Sequence, residues 1–122
     1  MPKRVLVVDD DDDIRRTVQV HLKRAGYQII LARDGKEALE KARAELPDLI
    51  VMDVMMPRMS GFDALEHLKA DGTTEAIPVV MLTAESRDED LFVGWSRGVH
   101  SYLTKPFRPD EVVATVKSIL DE

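Results

Sequence analysis

Asp9 and Asp10 close the apolar run Val5-Leu6-Val7-Val8, and Asp53 closes Leu49-Ile50-Val51-Met52. Lys105 follows the segment Val99 to Leu103 and directly precedes Pro106, and Thr83 closes Val79-Val80-Met81-Leu82. Short β-branched runs that end in reactive side chains read as strands of one sheet. Their carboxyl ends would share one polar site, the place where open α/β sheets bind ligands. Carboxylates held within a few ångströms of one another resist joint ionisation, because like charges raise each other's pKa. A divalent cation relieves that repulsion, and Mg2+, with its preference for oxygen ligands and retained waters, suits the cluster. Lys105 adds a point charge on a flexible stem, fit for a phosphate oxygen. Thr83 adds a hydroxyl, and Ala84 beside it leaves room for a ligand. Such a set is equipment for phosphoryl transfer to a carboxylate: cation and metal neutralise the phosphoryl oxygens while the nucleophile attacks in line.

Alternating strands and helices would position these groups. The first strand spans Arg4 to Val8, a continuous apolar run of the kind found when helices cover both faces of a parallel sheet. The first helix runs from about Asp13 to Ala25, with Ile14, Val18, Leu22 and Ala25 on one face, and Gly26 stops it. The second strand is Gln28 to Ala32, and the second helix Gly35 to Leu46, with Ala38, Leu39 and Ala42 inward and Pro47 beyond. The third strand, Asp48 to Met52, leads into a Pro- and Gly-containing loop, Val54 to Gly61. The third helix, Phe62 to Ala70, buries Leu65 and Leu68; the fourth strand is Pro78 to Leu82. The fourth helix, about Arg87 to Arg97, carries an apolar stripe of Leu91, Phe92 and Trp95 interrupted by Gly94. The fifth strand is Val99 to Leu103, and the fifth helix Pro109 to Leu120 faces the sheet with Val112, Val113, Val116 and Leu120. Strict alternation implies right-handed crossovers and a parallel five-stranded sheet in one doubly wound α/β domain over residues 1–122.

The 122 residues suffice for one core, and 44% apolar with 33% charged residues fits a globular protein. A net charge of −6 argues against non-specific nucleic-acid binding. Without cysteine, neither disulfides nor a thiolate metal site can form. No apolar run approaches membrane-span length, and the first strand begins too early to leave room for a signal peptide. A cytoplasmic protein is expected.

Read blandly, the acids Asp9 to Asp13 are a solvated turn, and for Asp12 and Asp13 an N-cap role at the first helix is preferred. Trp95 and the methionines read as packing or loop residues, and Gly35 and Gly98 as turn glycines. His21, His67 and His100 are too scattered for a histidine metal site.

Four motifs in order carry a resemblance: Val7-Val8-Asp9-Asp10; Asp53 with Met56-Pro57 and Ser60-Gly61; Thr83-Ala84; and Tyr102-Leu103-Thr104-Lys105-Pro106-Phe107. The chain resembles the CheY-like receiver domain of bacterial two-component response regulators along nearly its whole length. The resemblance implies a flavodoxin-like sheet of order 2-1-3-4-5. It implies Asp53 as phosphoacceptor, with Asp9, Asp10, Asp53 and the Met55 backbone carbonyl around Mg2+. It implies Lys105 and Thr83 as phosphoryl contacts, backbone contacts from Met55 and Ala84, Tyr102 moving with Thr83, and a cis Lys105–Pro106 bond. The donor would be a sensor histidine kinase or a phosphotransfer protein. The response would be a changed surface of fourth helix, fifth strand and fifth helix that binds an unidentified downstream protein.

Receivers with winged-helix DNA-binding partners often dimerise through helix four, strand five and helix five, and typically carry two acids before the strand-five tyrosine and an arginine in helix five. His100-Ser101 and Ala114-Thr115 stand there instead, which argues against that dimer. Beginning at Met1, the chain is expected to be a stand-alone receiver, monomeric or a weak phosphorylation-dependent dimer, without direct nucleic-acid or membrane contact. The alternative is an N-terminal receiver of a longer regulator with a DNA-binding or other output domain. An aspartate-nucleophile phosphohydrolase of the haloacid dehalogenase type is disfavoured, because Asp9 to Asp13 lacks that family's Thr or Val ending and no substrate cap fits. A pseudo-receiver is disfavoured because acids and lysine are all present, and a flavin carrier because no phosphate loop follows the first strand. The chain is expected to be a signalling protein, not an enzyme acting on another substrate.

Overall fold

The computed structural model describes residues 2–84 and 98–121. Five parallel strands, β1 (Arg4–Val8), β2 (Gln28–Ala32), β3 (Leu49–Asp53), β4 (Val79–Thr83) and β5 (Ser101–Thr104), form one sheet of order β2-β1-β3-β4-β5. Helices α1 (Asp12–Arg24), α2 (Gly35–Glu45), α3 (Gly61–Ala70) and a C-terminal helix (Pro109–Leu120) cover it. The expected fourth helix, with Leu91, Phe92, Gly94 and Trp95, lies outside the described residues.

The three central strands, β1, β3 and β4, bury nearly every side chain, and the edge strands β2 and β5 are mostly half-buried; two-residue alternation sorts the buried side chains between two apolar layers. Leu6, Val8, Ile50, Met52, Val79 and Met81 meet α2 and α3 on one face. Val5, Val7, Leu49, Val51, Val80 and Leu82 meet Val18 and Leu22 of α1 and Val112 and Val116 of the C-terminal helix on the other. Each fully buried Leu, Ile or Val contributes about 1.5–3 kcal/mol relative to exposure. The inward faces expected for all four described helices hold, with Ile14, Ala25, Val113 and Leu120 at the margins of the second layer.

Several boundaries shift for local reasons. Asp11, not Asp12 or Asp13, caps α1: its carboxylate accepts from the Asp13 and Ile14 N–H groups, leaving Asp12 and Asp13 in the first turn. Leu46 leaves α2 and takes a left-handed conformation at φ 46°. Ser60 and Asp63 form a reciprocal capping box, so α3 starts at Gly61. β3 ends one residue later than expected because Asp53 pairs opposite Leu82, and β4 one residue later because Thr83 pairs opposite Thr104. Pro78, without an N–H, contributes only its carbonyl, to the Ile50 N–H at 3.0 Å. β5 begins at Ser101, not Val99.

Candidate functional site

Adjacent strands β1 and β3 deliver Asp9 and Asp53 side by side, since Val8 stands opposite Met52. β5 reaches the same place across β4, and the Lys105 N–H donates to the Thr83 carbonyl at 2.7 Å. The Lys105 Nζ then lies 3.1 Å from Asp53 Oδ2 and 3.4 Å from Asp9 Oδ2. Carboxylate oxygens of Asp9, Asp10 and Asp53 lie within 4.8 Å of one another. Asp9 and Asp53 are buried, and Asp10 is exposed at the mouth. The Met55 N–H donates to Asp53 Oδ1 at 3.2 Å and the Asp11 N–H to Asp9 Oδ1 at 3.0 Å. Continuing the strand alternation puts Asp9, Asp53 and Lys105 in phase with Val7, Val51 and Leu103, the layer under α1. Thr83 is in phase with Val79 and Met81, and Tyr102 packs against that opposite layer.

Burial first, then the charge of Asp53, pushes the Asp9 carboxyl up from 3.8 to about 6, against the Asp11 N–H and the Lys105 ammonium. Desolvation alone would lower the Lys105 pKa, but the facing charges of Asp53 and Asp9 outweigh it and hold the ammonium above its ordinary value. Among the described residues one cation therefore stands against two buried acids and a third at the rim, all hard oxygen donors. That donor set fits Mg2+: a bound dication would favour the ionised form of Asp9 that burial opposes.

Residues 5–117 match the response regulator receiver domain. The chain belongs to that family. It is 46% identical over 120 residues to the alkaline phosphatase synthesis transcriptional regulatory protein PhoP of Bacillus subtilis, covering 98% of this chain and 49% of that protein. It is 42% identical to the phosphate regulon transcriptional regulatory protein PhoB of Escherichia coli, covering 98% and 52%. The chain thus spans about half the length of these curated relatives. Among solved structures, the Vibrio cholerae chemotaxis protein CheY4 superposes with a TM-score of 0.93 at 37% identity, covering 98% of this chain and all of that one. A putative response regulator from Chloroflexus aurantiacus gives 0.92 at 35% identity, covering both chains fully. This is a receiver domain of two-component response regulators, a phosphorylation-dependent signalling module with the expected flavodoxin-like fold. Receivers of this family interact with histidine kinases. Among the described residues no helix is long and apolar enough to cross a membrane.

The receiver's strand ends bring together Asp9, Asp10, Asp53 and Lys105. Thr83 closes β4 beside them, with Ala84 exposed just after it. Lys105–Pro106 is cis. Met55 is 69% exposed. The supporting roles of three residues were not read from the sequence. Arg15 donates to the Asp9 carbonyl at 2.8 Å from one turn into α1. Gly61 approaches β3 so closely that a Cβ there would lie 2.4 Å from the Asp53 carbonyl oxygen, while its N–H donates to the Val54 carbonyl at 2.8 Å. Gly35, read as a turn glycine, opens α2 against the side chain of Met59. Only the Ser60-Gly61 pair carried a sequence signal, as part of a motif whose geometric reason is this close approach.

Proposed function

We propose that Asp53 is the phosphoacceptor of a switch that catalyses only its own phosphorylation and dephosphorylation. A phosphohistidine on a sensor kinase or phosphotransfer protein donates: an Asp53 carboxylate oxygen bonds to phosphorus, the P–N bond breaks, and the histidine nitrogen leaves with the electron pair. The carboxylates of Asp9, Asp10 and Asp53 and the Met55 carbonyl would hold Mg2+. Bound there, the ion supplies positive charge to the phosphoryl oxygens. Lys105 moves its ammonium from the Asp53 carboxylate to the phosphoryl group, and the Met55 and Ala84 N–H groups donate to it. The Thr83 hydroxyl bonds the new anion, Tyr102 follows on the same side of the sheet, and the population shifts toward a second packing around β5 and the C-terminal helix. An unidentified protein reads that surface.

The observation that carries this reading is the Lys105 Nζ poised 3.1 Å from Asp53 and 3.4 Å from Asp9 in one buried acidic cup. Acetyl phosphate with Mg2+ is expected to add one phosphoryl group to the wild type and none to Asp53→Asn, read by intact-mass spectrometry. Full labelling of the variant overturns the assignment.

A second reading makes this the receiver part of a longer transcriptional regulator. It is favoured by the coverage of only 49% and 52% of its two regulatory relatives. Immunoblotting of the source cell tests it: a band near twice 13.8 kDa supports the longer regulator, and a band near 13.8 kDa alone overturns it.

A further inference from the structure

The loop from Val54 to Gly61 is held at two places. Its base is pinched where the Gly61 N–H meets the Val54 carbonyl at 2.8 Å. Its tip rests on the start of α2. A Cβ placed on Gly35 would meet Met59 at Sδ 2.8 Å, Cγ 2.9 Å and Cβ 3.0 Å. Because the last of these atoms is tied to the backbone, a side chain at position 35 cannot be accommodated by swinging the thioether end alone. Beside this contact Arg58, at φ 69°, directs its guanidinium to within 4.0 Å of the Asp34 carboxylate. Asp34 is itself fixed, since its side chain accepts from the Glu37 N–H as the cap of α2. Between the pinched base and the seated tip lies Met55, whose N–H is bonded to Asp53 and whose carbonyl is a metal ligand in the reading proposed above.

We infer that Gly35 is a positioning residue: its missing side chain seats Met59, and this contact sets the shape of the loop that presents the Met55 backbone to the Asp53 site. The inference rests on the phosphoacceptor reading for its functional consequence, but its structural half is independent of it. A methyl at position 35 pushes Met59, the push travels through a loop already fixed at Gly61, and the displacement falls on the residues between. A cavity of about 500 Å³ beside the contact, lined also by Asp34, Lys36, Pro57 and Arg58, leaves the Met59 thioether room to turn, so what reaches Met55 is the displacement carried by the Met59 Cβ, which is tied to the backbone.

Gly35→Ala, Met59→Ala and the double variant test it by two readouts. In the metal-free protein, Gly35→Ala is expected to move the backbone amide resonances of Met55 and Asp53. Changes confined to residues 34–37 and 57–60 overturn the inference. In Mg2+ titration by calorimetry, Gly35→Ala is expected to weaken binding about ten-fold, the range typical of groups that orient a metal ligand. In the double variant, the vacated Met59 volume accepts the new methyl. Its Mg2+ affinity should therefore equal that of Met59→Ala alone. An unchanged affinity in Gly35→Ala, or losses that multiply in the double variant, overturns the inference. A wild type that takes up no Mg2+ removes the phosphoacceptor reading instead, and the amide resonances then decide the Gly35 contact by themselves.

Discussion

The two ends of the sheet set one basic residue against two acidic ones, and they do so to opposite effect. At the amino end, Arg4 pairs with Glu45 at 2.9 Å while its N–H donates to Asp48 at 2.8 Å. The Arg4 and Glu45 side chains are 35% and 46% exposed, so water screens them and little depends on the match. At the carboxyl end, Lys105 is 19% exposed, Asp9 not at all and Asp53 5%. There, among the described residues, one ammonium faces two buried carboxylates and solvent screens them little. The same ingredients fasten chain segments at one end and store unfavourable charge at the other; burial is the variable that separates the two.

The largest effect tests how tightly the site end is built. Gly61→Ala would drive a methyl into the Asp53 carbonyl and is expected to cost about 3 kcal/mol, the upper part of the range for overpacking, measured by urea denaturation. An unchanged midpoint would show that the close approach is not required.

The stored charge gives a pH signature. Burial and the Asp53 charge lift the Asp9 carboxyl from 3.8 to about 6. The folded protein therefore holds that proton more tightly than the unfolded chain does. Metal-free protein should be favoured below the unfolded value, lose stability as pH rises from 3.8 to about 6, and remain lower above that. The loss at neutral pH is at most about 3 kcal/mol. Asp9→Asn should remove most of this slope and raise the melting temperature at pH 7. Mg2+ uptake by the wild type should weaken below about pH 6, because the ligand must be deprotonated. A melting temperature equally pH-dependent in the variant would place the charge conflict elsewhere.

The smallest effect is expected at the opposite end. A double-mutant cycle on Arg4→Ala and Glu45→Ala should give a coupling of about 0.5 kcal/mol or less. A coupling several times larger would erase the contrast between the ends.

The carboxyl end of this contrast was readable from the sequence; the amino-end pair of Arg4 and Glu45 was not. Apolar runs ending in Asp9, Asp53, Thr83 and Lys105 located the strands, their direction and the shared site, because period and end position are local properties. What escaped depended on contacts between distant segments. The extra pair at the end of β3 comes from Leu82 on β4. The close approach of Gly61 is defined by Asp53, and that of Gly35 by Met59; a glycine in sequence signals freedom, not which neighbour requires it. Choosing Asp11 over Asp12 and Asp13 as the α1 cap turns on side-chain geometry at three like residues, which composition cannot rank.

Alternation along the strands has a consequence for how such a chain can change over time. Asp9 and Asp53 emerge on the α1 side only because an even count separates each from Val7 and Val51, whereas Thr83 and Tyr102 belong to the other side. Swapping one aliphatic for another inside β1 or β3 leaves that parity intact. Inserting or deleting a single residue there would turn the acid through the sheet and away from Lys105. Descent can therefore rewrite the letters of these two strands freely, but hardly their length.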